Sequence, residues 1–125
     1  MFEISVEHSF AAGHALRGYK GKCENVHGHN YKIRVTVAGE NLNSTGLLMD
    51  FVDLRAALRE LAERLDHRFM NDIPPFDTIN PSAENLARYF SEGLEPQIRK
   101  QGNRVASVTV WETDTTSATF IPSPS

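Results

Sequence analysis

Odd and even positions separate along the first ten residues. Phe2, Ile4, Val6, His8 and Phe10 share one parity, while Glu3, Ser5, Glu7 and Ser9 share the other. Alternate side chains of an extended chain point to opposite faces, so residues 2–10 read as a half-buried strand. The alternation returns at residue 27, with His27, His29, Tyr31, Ile33, Val35 and Val37 on one face and Asn30, Lys32, Arg34 and Thr36 on the other. Gly13, Gly18 and Gly21 mark a loop between the runs, which suits an antiparallel pair. The period then changes. Phe51, Leu54, Leu58, Leu61 and Leu65 recur at steps of three and four, predicting a helix over residues 51–65 with Asp50 as N-cap and Asp53 in its first turn. Three prolines within residues 71–81 break it. A second helix starts after Ser82, its N-cap, with Leu86, Phe90 and Leu94 facing inward, and Pro96 is expected to end or kink it. Residues 105–111 alternate again and are rich in valine, Val108 and Val110 sharing a face with Glu112. A short strand over residues 118–121 follows, and residues 46–49 offer a further edge strand. The order β-β-α-α-β-β predicts an α+β fold, an antiparallel sheet with both helices on one face.

Composition narrows the setting. A chain of 125 residues is the size of one domain, here spanning 1–125, and its 40% hydrophobic and 23% charged shares are those of an ordinary globular protein. One cysteine excludes an internal disulfide. No apolar run approaches the roughly 20 residues that cross a bilayer. The acidic, alternating start lacks the basic and apolar blocks of a secretory signal, so the expectation is a cytoplasmic protein. A net charge of −3 argues against nucleic acid and membrane surfaces as partners.

The chemical signal is Cys23-Glu24-Asn25-Val26-His27-Gly28-His29. Positions i and i+2 of a strand share a face, so His27 and His29 can aim at one point. An antiparallel pair brings His14 back beside them, and three imidazoles on strands suit zinc with an open fourth position. The alternative is that these are polar residues at strand ends; His8 is a competing ligand but sits deeper in its strand. Cys23 is either a small buried hydrophobe, a fourth ligand, or a thiolate favoured by Arg17, Lys20 and Lys22 and able to act as base or nucleophile. Those cations are either solvated or face an anionic group such as a phosphate. Asp66 and His67 fall where the first helix ends. There a cationic His67 suits the helix C-terminus, or the pair moves protons. Glu112 is either a solvated rim carboxylate or the holder of two adjacent N–H donors of a heterocycle.

Together these segments resemble the 6-pyruvoyl-tetrahydropterin synthase family. The likeness rests on Phe10-Ala11-Ala12-Gly13-His14, the Cys-x3-His-Gly-His-Asn-Tyr run at 23 to 31, Met49-Asp50-Phe51, Leu65-Asp66-His67, Asn80-Pro81-Ser82-Ala83-Glu84-Asn85 and Trp111-Glu112-Thr113. Three residues between Cys23 and His27 is the spacing of its 6-carboxytetrahydropterin synthase branch, which serves queuosine biosynthesis. The resemblance implies the tunnelling fold, subunits assembled into a homo-oligomer, commonly a hexamer, and zinc on His14, His27 and His29. It implies Cys23 as the proton-abstracting base, Asp66 and His67 as a second acid–base element, Glu112 as anchor of the pterin ring and Ser82 as a lining residue of that pocket. The implied substrate is 7,8-dihydroneopterin triphosphate, and the products are 6-carboxytetrahydropterin, acetaldehyde and triphosphate. The rivals are a 6-pyruvoyltetrahydropterin synthase and a non-enzymatic zinc-dependent ring that binds pterins. A cupin would need an all-β barrel, and the two helices count against it.

Overall fold

The computed structural model describes residues 1–18 and 26–123, with His27 described by its backbone alone. Two long strands, β1 (Phe2–His14) and β2 (His27–Gly39), pair antiparallel in unbroken register from Phe2↔Gly39 to His14↔His27. β1 runs four residues beyond the apolar alternation because its parity persists: Ala12 and His14 are buried although Gly13 interrupts the pattern. Helix α1 (Phe51–Glu63) follows, capped by the Asp50 carboxylate accepting from Val52 N. Helix α2 (Ala83–Lys100) is capped by Ser82. Strands β3 (Arg104–Thr113) and β4 (Thr116–Phe120) close an antiparallel sheet of order β1-β2-β3-β4.

Both helices lie on one face, α1 along β1 and α2 across β3 and β4. The inward parities of the strands supply that face: Phe10, Tyr31, Ile33, Val35, Val108 and Val110 are buried with Leu58, Leu61, Leu86 and Phe90 of the helices. The opposite face is polar, with Ser5 and Thr36 hydroxyls bonded, Glu7 paired to Arg34, and Lys32 over the Trp111 ring. No described helix is long and apolar enough to cross a membrane.

Three expectations are corrected. Pro96 does not end α2, which continues to Lys100. Leu94 and Ile98 are buried on either side of it, and burying such side chains gives about 1.5–3 kcal/mol each, enough to offset a proline in a helix. Residues 46–49 form no strand. Instead the Asn43 side-chain oxygen accepts from Thr45 N, the Thr45 hydroxyl and Leu47 N, winding the chain into a turn. The last strand starts at Thr116, where its hydroxyl meets that of Thr113 across a tight turn. The proline-rich breaker also has a packing role, since it drops Phe76 fully into the core against Tyr89.

Candidate active site

The core of the sheet ends in histidines. His14, the last residue of β1, shares the inward parity of Phe10 and Ala12 and is 1% exposed. His29 faces Ala12 across the ladder, one diagonal step away, and the two rings meet edge to face at 5.0 Å. From β3, Glu112 continues the inward parity of Val108 and Val110, and its Oε1 lies 3.3 Å from His14 Nε2. One ligand atom each from His14, His29 and Glu112 falls within 4.8 Å of the others. Two imidazoles and a carboxylate that close form a donor set for a divalent metal such as zinc. His14 Nδ1 is 3.1 Å from the Pro81 carbonyl, which only accepts, so this nitrogen donates and Nε2 is the ligand atom of the neutral ring. The backbone of His27 pairs directly with that of His14. Beneath the cluster, Tyr31 stacks on Phe10. Its hydroxyl is buried without a hydrogen-bond partner among the described residues. Burial, then the Glu112 charge, pushes its phenol well above the ordinary range.

A second group forms where the chain leaves α1. His67 N donates to Ala11 O at 2.6 Å and Gly13 N to Arg68 O at 3.0 Å, laying residues 66–69 along the open edge of β1. Asp66 Oδ1 accepts from Ala11 N at 3.0 Å and sits 3.0 Å from His67 Nδ1. The Ala11 N–H is the main reason the Asp66 carboxyl lies below its usual range, with the His67 contact adding to it. The two neighbours in sequence therefore do touch, which adjacency alone leaves open. His67 has the left-handed backbone angle φ of 59° and an 81% exposed side chain. A cleft of ≈ 630 Å³ is lined by both His67 and His29, with Ala11, Gly28, Arg68 and Phe69. His29 of the metal-type cluster and His67 of the Asp66–His67 pair thus open onto one space.

Other candidates are placed differently. The Ser82 hydroxyl accepts from Asn85 N and serves as the helix cap. The Arg17 guanidinium donates to the carbonyls of Asn71, Phe76 and Ile79, so it braces the chain and is not an open anion site. His8 is half-buried opposite Ile33, apart from the histidine cluster. Cys23, Lys20 and Lys22, and the side chain of His27, lie outside the described residues. Residue-by-residue reading overlooks Asn71 and the Pro81 carbonyl. Asn80 and Pro81 carry a usable signal, as part of a shared segment with no chemistry of its own.

A family model described as 6-pyruvoyl tetrahydropterin synthase matches residues 3–122. A 6-carboxy-5,6,7,8-tetrahydropterin synthase from Synechocystis sp. is 37% identical over 125 residues, 96% of this chain and 93% of its own. The human 6-pyruvoyl tetrahydrobiopterin synthase is 34% identical over 126 residues, 90% of this chain and 86% of its own. Among solved structures, the 6-pyruvoyl tetrahydropterin synthase of Caenorhabditis elegans superposes with a TM-score of 0.85 at 29% identity, over 98% of this chain and 96% of that one.

Proposed function

The chain belongs to the 6-pyruvoyl tetrahydropterin synthase family and is an enzyme, and from that premise we propose that it is the zinc-dependent lyase that converts 7,8-dihydroneopterin triphosphate to 6-carboxy-5,6,7,8-tetrahydropterin, acetaldehyde and triphosphate. The observation that carries this reading is that His29 of the His14–His29–Glu112 cluster and His67 of the Asp66–His67 pair line one cleft. His14, His27 and His29 would hold the zinc, with the neighbouring Glu112 carboxylate left to the substrate. When bound, zinc supplies Lewis acidity toward the side-chain hydroxyls of the substrate.

The protein's own groups do the rest. Glu112 accepts two adjacent N–H donors of the pterin ring, which fixes the ring in the plane of the carboxylate. Cys23, as thiolate, removes a proton from the substrate side chain, and His67, oriented by Asp66, delivers one elsewhere. Loss of triphosphate leaves a three-carbon side chain. Cutting it between the first and second carbons with one water yields a carboxyl group on the ring and acetaldehyde, so the atoms balance. Ser82 lines the pterin pocket from its place at the helix start, and the same reading holds that the enzyme works as a cytoplasmic homo-oligomer, a hexamer.

The pyruvoyl product remains the second reading, since the human relative bears that name at an identity close to that of the carboxy relative. The three-residue gap from Cys23 to His27 supports the carboxy product. Cys23→Ala is expected to keep one zinc per chain and lose turnover by about 10²-fold or more, the usual range for a general base. Metal analysis beside a rate assay checks this, and full activity in that variant removes the base assignment.

A further inference from the structure

We propose that Asn80, Pro81 and Asn85 form the outer shell of the metal centre, with the Pro81 carbonyl orienting His14 and the two asparagine amides fixing where that carbonyl stands. This rests on the reading of His14 as a metal ligand. The segment at 80 to 85 begins ahead of α2 and is remote in sequence from every histidine of the site. Its contacts explain its composition. A proline offers only one backbone polar group, its carbonyl, and here that group takes Nδ1 of a nearly inaccessible imidazole at 3.1 Å.

The peptide groups around that carbonyl are tied on both sides. Asn85, in the first turn of α2, donates Nδ2 to the carbonyl of Asn80 at 2.9 Å, while its backbone N–H takes the Ser82 cap. The Asn80 side chain faces the other way. Its Oδ1 accepts from Arg17 N and its Nδ2 donates to Arg17 O, both at 2.9 Å. Two residues before Arg17, Ala15 forms the same pair of bonds with Asn71, at 2.9 and 2.8 Å. A primary amide carries the donor and acceptor of a peptide, so each asparagine acts as a one-residue strand partner for the chain leaving β1. Residues 15 and 17 point their peptide groups to the same side, which is why the two clamps are spaced by two. The guanidinium of Arg17 then binds the carbonyls of Asn71, Phe76 and Ile79 in the stretch that bears both asparagines.

The result is a rigid frame from His14 to Arg17 on one side and from Asn71 to Asn85 on the other. Within it, the ring of His14 has one orientation and one tautomer, with Nε2 presented toward His29 and Glu112. Asn80 and Asn85 are positioning residues: their amides bond Arg17 and the Asn80 carbonyl, and they act through His14. Partners of this kind typically change metal affinity by about 10–100-fold when removed.

The test is zinc affinity by competition with a chromophoric chelator, together with the visible spectrum of the cobalt-loaded protein and the thermal midpoint of the metal-free chain. Asn80→Ala is expected to weaken zinc binding by about 10–100-fold and to shift the cobalt bands. Asn80→Asp keeps the acceptor for Arg17 N but sets a carboxylate against Arg17 O, so its affinity falls between. Asn85→Ala leaves the Ser82 cap in place and weakens binding in the same direction, which keeps the proposal testable if Asn80→Ala does not fold. A purely structural role would lower the thermal midpoint and leave affinity within twofold of wild type, and that result overturns the proposal. A wild-type chain that takes up no zinc overturns the metal reading, and the proposal with it.

Discussion

His67 is held in left-handed backbone, which costs a residue with a side chain about 1–3 kcal/mol unless its surroundings impose it. Here they do, through its N–H on Ala11 O and its ring on Asp66. Asparagine tolerates that conformation better than most residues. His67→Asn is therefore expected to fold with stability within about 1 kcal/mol of wild type while turnover falls about 10²–10⁴-fold. Urea unfolding and a rate assay read the two separately, and unaltered turnover would remove His67 from proton transfer. Asp66 makes a prediction in pH. Its carboxyl titrates below the ordinary range, so the folded state binds that proton less readily than the unfolded chain. The stabilisation is complete above the unfolded value of about 3.9 and is lost as pH falls through the folded one. The stability gap between wild type and Asp66→Asn is expected to shrink as pH is lowered from 6 toward 3; a gap constant across that range contradicts the assignment. These residue-scale facts were unevenly legible. The inward aim of His29 follows from a period of two in β2. The Asp66–His67 contact depends on a turn returning to a strand 55 residues earlier, and no local pattern reports that. Asn71 and Asn80 read as ordinary turn residues until their partners at 15 and 17 are known.

At the scale of elements, hydrophobic periodicity was a sound guide because each strand and helix buries one face. α1 begins and caps where its apolar stripe and Asp50 place it, and β2 runs as its alternation reads. Where local rules and packing disagree, packing wins, as at Pro96, whose neighbours Leu94 and Ile98 hold α2 against the sheet. Close approach at strand ends is the feature least visible beforehand. A Cβ on Gly39, the last residue of β2, would collide with Asn103 Oδ1 and approach Leu48 Cδ1 to 2.7 Å. Asn103 is buried and donates to the Leu48 carbonyl, so neither neighbour can yield freely. Gly39→Ala is expected to cost about 1–3 kcal/mol, as overpacking does, despite removing a flexible residue. A denaturant midpoint equal to wild type would show that this corner is looser than its contacts indicate.

Over the whole molecule, one helix-covered face builds the core and, among the described residues, the polar face carries no helix, with the candidate site gathered where β1 and β3 end and β2 begins. That end holds His14, His29 and Glu112, and the turn after α1 brings His67 to the cleft that His29 lines. The frame is common to relatives named for two different products, at 37% and 34% identity, so the frame does not choose between them. In the proposed reaction the choice lies in whether the side chain of the substrate is cut once triphosphate has left. The central claim is therefore tested most directly by incubating the zinc-loaded protein with 7,8-dihydroneopterin triphosphate and identifying the pterin by mass spectrometry while assaying acetaldehyde. The predicted result is 6-carboxytetrahydropterin with one acetaldehyde for each triphosphate released. Release of triphosphate with 6-pyruvoyltetrahydropterin and no acetaldehyde would contradict it.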